Sequence, residues 1–183
     1  MAAPLHLAPP ITEQIPDHDP IEHSVDAPHL DAEACCLSAL MQISAAQARP
    51  IIDTLTVGDF TDSAHGALYR LIHALIRGGQ PHDYVMVAHE IDGHPAGIDH
   101  HHAQLRQHLV RVVGAATFPE RAPHYAKAVV AQSYRRSFET AAQALREATE
   151  TVATDDLYEY MCHLGRRQRD AHARYAAICA ATE

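Results

Sequence analysis

The strongest constraint on this chain lies in its last third, where two apolar stripes run on either side of a short polar break. Val130, Tyr134, Phe138, Ala141, Leu145 and Ala148 recur at spacings of three and four residues. That spacing places them on one face of a helix. After the break ETVATDD, Leu157, Met161, Leu164, Ala171, Tyr175 and Ile178 keep a heptad register, with Gln168 at the remaining position. Two long helices joined by so few residues must turn back on each other as an antiparallel hairpin. Thr154 or Asp155 is placed to cap the second helix, and the register predicts no break at Gly165. The stripes carry more apolar surface than one antiparallel contact needs, so a helical partner is expected, a second copy of the chain among the candidates.

The preceding region also reads as helical. Leu68, Leu71, Ile72, Leu75 and Ile76 form an i, i+3, i+4, i+7, i+8 stripe between Asp62 or Ser63 as cap and Gly78–Gly79 as stop. Ala34, Leu37, Leu40 and Met41 mark an earlier helix with Asp31 and Glu33 in its first turn, where the helix dipole favours negative charge. A short helix is predicted near Ala45–Leu55, where Pro50 breaks it, kinks it or marks its first turn. TVGDF reads as a turn. HDYVMVAHEI has strand-like valines, but Asp83 is a good cap and Tyr84, Val87, Ala88 and Ile91 match a helix face. Leu105, Leu109, Val112 and Val113 mark another helix, ended by Gly114. Thr117 and Glu120 have the spacing of a capping box for the helix that follows. The six prolines within residues 1–28 leave no periodicity, and that stretch is expected to be a disordered tail. The expected layout is all-α: a tail over 1–28, a globular helical bundle over 29–116 and a long antiparallel helical hairpin over 117–183.

Several function classes are excluded or weakened. Lys127 is the only lysine, and no Gly-Lys-Ser/Thr segment or G-x-G-x-x-G is present, so no nucleotide hydrolysis is expected. No nucleophile elbow or recognised catalytic cysteine context appears, and no catalytic residue is assigned. Cys35, Cys36, Cys162 and Cys179 form no C-x-x-C pair, so reduced thiols in a soluble, cytoplasmic protein are expected. Neither a signal peptide nor a membrane span is read. A net charge of −9 leaves only local basic patches for nucleic acid, at Arg135–Arg136 and in RRQRDAHAR, residues 166–174.

The segment HEIDGHPAGIDHHHAQLRQH, residues 89–108, holds six of the sixteen histidines. His94, Asp99, His100 and His102 could offer metal ligands. Its spacers carry Gly93, Pro95 and Gly97, however, and histidines recur in the first residues at His6, His18 and His23, so compositional bias is the preferred reading. Only about Asp92–His102 is expected to be a loop. No metal or cofactor is assigned.

Three stretches together resemble the N-terminal domain of DnaB-type replicative DNA helicases. The first is PHLDAEACCLSALM, residues 28–41, with Leu37–Ser38 where the family usually has Leu-Gly. The second, residues 59–91, places Phe60, His65, Gly79, Pro81 and Asp83 at matching positions. The third, residues 117–136, does so with Thr117, His124, Tyr125, Ala126, Val129 and Arg135–Arg136. The likeness covers roughly residues 28–180. It implies the same all-α fold and a domain that pairs with copies of itself through the hairpin and contacts primase and loader proteins. The family's ATPase part is absent, so helicase activity is not carried over. His65 and His124 are expected to make structural hydrogen bonds at helix starts.

The expected function is a stand-alone interaction module of DNA replication. It would self-associate as a homodimer or higher species through Val130, Tyr134, Phe138, Ala141, Leu145, Leu157, Met161 and Leu164. Replicative helicase, primase or helicase loader are the expected partners, with DNA contacted only indirectly and no membrane. Two other readings compete with it. One is a metal-dependent enzyme or sensor built on residues 89–108; the other is a small DNA-binding protein using Arg166, Arg167, Arg169 and Arg174.

Overall fold

The computed structural model describes residues 31–93 and 99–182. The expected tail, and His94 with its neighbours through residue 98, lie outside the described residues. The described chain is all-α, with helices α1 (Ala32–Leu40), α2 (Ala45–Ile52), α3 (Ser63–Arg77), α4 (Tyr84–Gly93), α5 (Asp99–Val113), α6 (Ala122–Thr151) and α7 (Leu157–Ala180). Single 3-10 turns at Val57–Asp59, Pro119–Arg121 and Thr154–Asp156 lead into later elements.

Helix α1 is the centre. Ala34, Cys35, Cys36, Leu37, Ser38, Ala39 and Leu40 are all buried, which only a helix covered on every side can sustain. Its small side chains let α3, α5 and α6 approach closely. Burial pushes the Cys36 thiol far above its ordinary range, so it is an inert packing group. Leu68, Tyr69, Ile72 and Ile76 of α3 and Leu105, Leu109 and Val112 of α5 complete the core. The core does not stop at residue 117: Ala122, Ala126, Val129 and Val130 of α6 and Ile178 of α7 belong to it. The base of the hairpin is thus built into the bundle.

Local chemistry explains the helix ends. Asp31 caps α1 by accepting the Glu33 N–H at 2.8 Å. Ser44 and Gln47 form a capping box on α2. That helix runs through Pro50 and ends two residues later, at Ile52. The Tyr69 hydroxyl donates to the carbonyls of Leu55 (2.9 Å) and Ile52 (3.2 Å), satisfying acceptors that the end of α2 leaves open. Gly79, at φ 67°, turns the chain out of α3. Asp83 accepts the N–H groups of Val85 (2.9 Å) and Met86 (3.2 Å), which settles the valine-rich segment as helix.

Four expectations are corrected. Asp99–His102 form the first turn of α5 rather than a loop, and α4 extends to Gly93. Thr117 does not cap α6: its hydroxyl meets Ser38 Oγ at 3.3 Å and accepts from Gln42 Nε2 at 3.1 Å, tying the entry to α6 onto α1. Helix α7 starts from Asp156, after a 3-10 turn that includes Thr154 and Asp155, with no side-chain cap. Glu33 is not a solvated dipole partner but a buried carboxylate. It accepts the Thr61 N–H at 2.6 Å and the Asp62 N–H at 3.4 Å, and receives His65 Nδ1 at 3.0 Å. Burial opposes its ionisation, but the His65 bond and the two backbone donors outweigh that and hold its pKa below the ordinary value. For His65, burial disfavours the charged ring; Glu33, Asp31 and Asp62 overcome that and raise its pKa.

Asp59 is 1% exposed and accepts from two sides. Oδ2 takes the Thr56 N–H (2.7 Å), the Thr56 hydroxyl (3.0 Å) and the Arg174 guanidinium from α7. Oδ1 takes the Ser133 hydroxyl from α6 at 2.7 Å, and Arg136 donates to the Asp59 carbonyl. Asp59→Ala strips both hairpin helices of this shared acceptor. We expect a loss of about 2–3 kcal/mol, toward the low end for a broken buried pair because Arg174 can still reach water. A urea-denaturation midpoint shift measures it. A change below about 0.5 kcal/mol, the level of an ordinary surface substitution, would show that the anchor is dispensable.

Candidate interaction surface on the helical hairpin

The α6–α7 seam is held by a mixed set of contacts. Tyr134 stacks on Tyr175 with ring centroids 5.4 Å apart and planes 7° from parallel. Phe138 meets the Tyr134 ring edge-on at 5.1 Å. Next along the seam, Gln168 donates to the Ser137 carbonyl at 2.7 Å and accepts from its hydroxyl at 2.9 Å. This reciprocal pair fixes the register of the two helices, because a slip by one turn would leave both polar groups unmatched. Ala148 and Leu164 are buried farther along.

The eight residues expected at an interface therefore divide. Val130 is in the bundle core, and Leu164 is buried within the chain. Tyr134, Ala141 and Leu157 are half-covered. Phe138 (52% exposed), Leu145 and Met161 (49%) present apolar surface outward. Tyr158, at 73%, adds to it and was not anticipated, since it lies one residue off the heptad register. It falls three residues before Met161 and seven before Gly165, a second stripe on the outer side of α7. A Cβ built at Gly165 meets nothing within 4 Å.

A cleft of about 360 Å³ opens beside the seam, lined by Ser133, Arg136, Ser137, Thr140, Arg167 and Gln168 among others. Its cationic groups are partly committed: Arg136 donates to the Asp59 carbonyl, and Arg174 nearby pairs with the Asp59 carboxylate. Arg166, Arg167 and Arg169 remain exposed, interspersed with Glu159 and Asp170. The basic run expected for nucleic acid is thus shortened by the residue that anchors the hairpin. His65 is engaged at the start of α3, as expected, while His124 is exposed. No helix among the described residues is long and apolar enough to cross a membrane.

Comparison with known proteins adds to this geometry. The family described as the DnaB-like helicase N terminal domain matches residues 26–131. The fold is similar to the crystal structure of the N-terminal domain of DnaB helicase from Mycobacterium tuberculosis, at 22% identity and a TM-score of 0.61. That likeness covers 74% of this chain and 94% of the other. No curated protein matches the chain.

Gly165 has no steric reason to be glycine within a single chain. Gly165→Ala is therefore expected to stabilise the isolated chain by about 0.5–1 kcal/mol through helix propensity alone. Thermal denaturation at a concentration too low for association measures it; destabilisation there would mean that α7 is not a regular helix through this position.

Proposed function

Because the chain belongs to the family of DnaB-like helicase N-terminal domains, we propose that it acts as a protein-interaction module of DNA replication, self-associating through the α6–α7 hairpin. The observation that carries this reading is the outward apolar surface of Phe138, Leu145, Tyr158 and Met161 on two helices whose own seam is already closed. Burying apolar side chains against a second hairpin removes them from water, and each fully buried one contributes about 1.5–3 kcal/mol. The occupant assigned is a second copy, giving a homodimer or a higher species.

The other partners are a replicative helicase, a primase or a helicase loader, met in the cytoplasm. DNA is reached only through them, and no membrane is involved. These 183 residues hold no phosphate-binding Gly-Lys-Ser/Thr loop, so the reading assigns them no ATPase or strand-separating activity. The DNA-binding alternative is weakened by the commitment of Arg174 to Asp59.

Sedimentation velocity over a concentration series tests self-association. The wild-type chain is expected to dimerise, and the double variant Phe138→Glu, Met161→Glu to remain helical while its dimer dissociation constant rises at least tenfold, about 1.4 kcal/mol. A wild-type chain that stays strictly monomeric at high micromolar concentration overturns the proposal.

A further inference from the structure

Away from the hairpin, three side chains from two helix regions converge. Asp62 precedes α3, His65 lies in its first turn and His108 projects from α5. One ligand atom from each lies within 4.8 Å of the other two. We propose that Asp62, His65 and His108 form a binding site for a divalent transition-metal ion, with zinc the best fit.

The donors suit that chemistry. Two imidazoles and one carboxylate, without a thiolate, favour zinc, nickel, cobalt or copper over magnesium or calcium. Donors around tetrahedral zinc, with bonds of about 2.0–2.1 Å, sit roughly 3.3 Å apart. His108 Nδ1 is already 3.7 Å from Asp62 Oδ2. With the ligand atoms all within 4.8 Å of one another, closing the set on an ion takes movements of up to roughly 1.5 Å.

The supporting contacts leave the right atoms free. Asp62 Oδ1 is held by the Ala64 N–H at 2.7 Å, and Oδ2 remains for an ion. His65 Nδ1 faces Glu33 Oε2 at 3.0 Å. A carboxylate there makes Nδ1 the protonated nitrogen and leaves the Nε2 lone pair for a metal, the pairing that orients histidine ligands in metalloproteins. Glu33 is itself buried and fixed by two backbone N–H donors, so this support is rigid. The rings of His65 and His108 stand edge to face, 88° apart in plane. Asp62 and His108 are partly exposed, which gives an entry path and leaves a fourth position for water. Asp31, 3.8 Å from His65, adds negative charge beside the site. Among the described residues of the segment 89–108, His108 is the one that joins this cluster.

The test uses the full chain, stripped with a chelator, at about pH 8, above the ordinary imidazole range because the carboxylates around His65 raise its pKa. Cobalt(II) is titrated in and its visible d–d absorption recorded, and bound zinc is counted by competition with a chromophoric chelator. A background variant, His100→Ala, His101→Ala, His102→Ala, removes adventitious ligands. Expected are one equivalent of metal in that background, at least a tenfold loss of affinity on adding either His108→Ala or Asp62→Asn, and a melting temperature that zinc raises only where His108 and Asp62 are intact. Asp62→Asn retains the cap oxygen, so the result does not hang on one variant's folding, which circular dichroism checks. No stoichiometric binding, or binding that survives both substitutions, overturns the proposal.

Discussion

A carboxylate 1% exposed must be fully partnered, and the partners of Asp59 set how the hairpin sits on the bundle. They come from the turn itself, from α6 and from α7: Thr56, Ser133 and Arg174, a span of more than a hundred residues. Desolvating the charge makes every alternative placement of the hairpin costly, because each would leave the carboxylate or Arg174 short of a partner. The pair contributes less to net stability than to orientation: an apolar substitute could pack as well without fixing where α7 lies. Among the described residues the guanidinium's Nε finds no hydrogen-bond partner.

Glu33, from α1, repeats the device on the backbone just after Asp59. Its carboxylate accepts from Thr61 and Asp62 and pairs with His65, so the short segment from Thr56 to Asp62 is held from α1 on one side and from the hairpin on the other. Apolar packing around α1 supplies the driving force for collapse. It is non-directional, however, and does not by itself say how a long hairpin should project from a small bundle. The two buried carboxylates supply that direction.

This division explains what was legible in the chain before its fold was known. Periodicity reports which face is apolar, and it located all seven described helices, including the valine-rich α4, where Asp83 outweighed strand propensity. It could not report long-range polar contacts. Thr117 and Glu120 have capping-box spacing, yet the Thr117 hydroxyl is claimed by Ser38 and Gln42, more than seventy residues away. Glu33 sits where a dipole partner belongs, and nothing local reveals that it is buried. Asp62, His65 and His108 are likewise scattered in sequence, so no local spacing marks the cluster that the fold assembles from them. The heptad register of α7 placed Met161 and Leu164 on one stripe, but Leu164 is buried and Met161 is half exposed. A straight helix has 3.6 residues per turn, so a strict seven-residue repeat drifts across its face and cannot separate seam from flank.

The hairpin's mixed seam bears directly on how it can work. If Phe138, Leu145 and Met161 were needed to close α6 on α7, losing a partner would open the hairpin. They are not: the Tyr134–Tyr175 stack, the Ser137–Gln168 pair and the Asp59 anchor hold the two helices within one chain. Outward apolar groups can then be covered and uncovered without unfolding, so the entropic cost of ordering the helices falls on folding rather than on association. A surface built this way suits repeated making and breaking of contacts, which an obligate, co-folded dimer interface does not. The separation follows from closing the seam with an aromatic stack, a register-fixing polar pair and small or buried apolar groups, while further apolar side chains stay on its outer side.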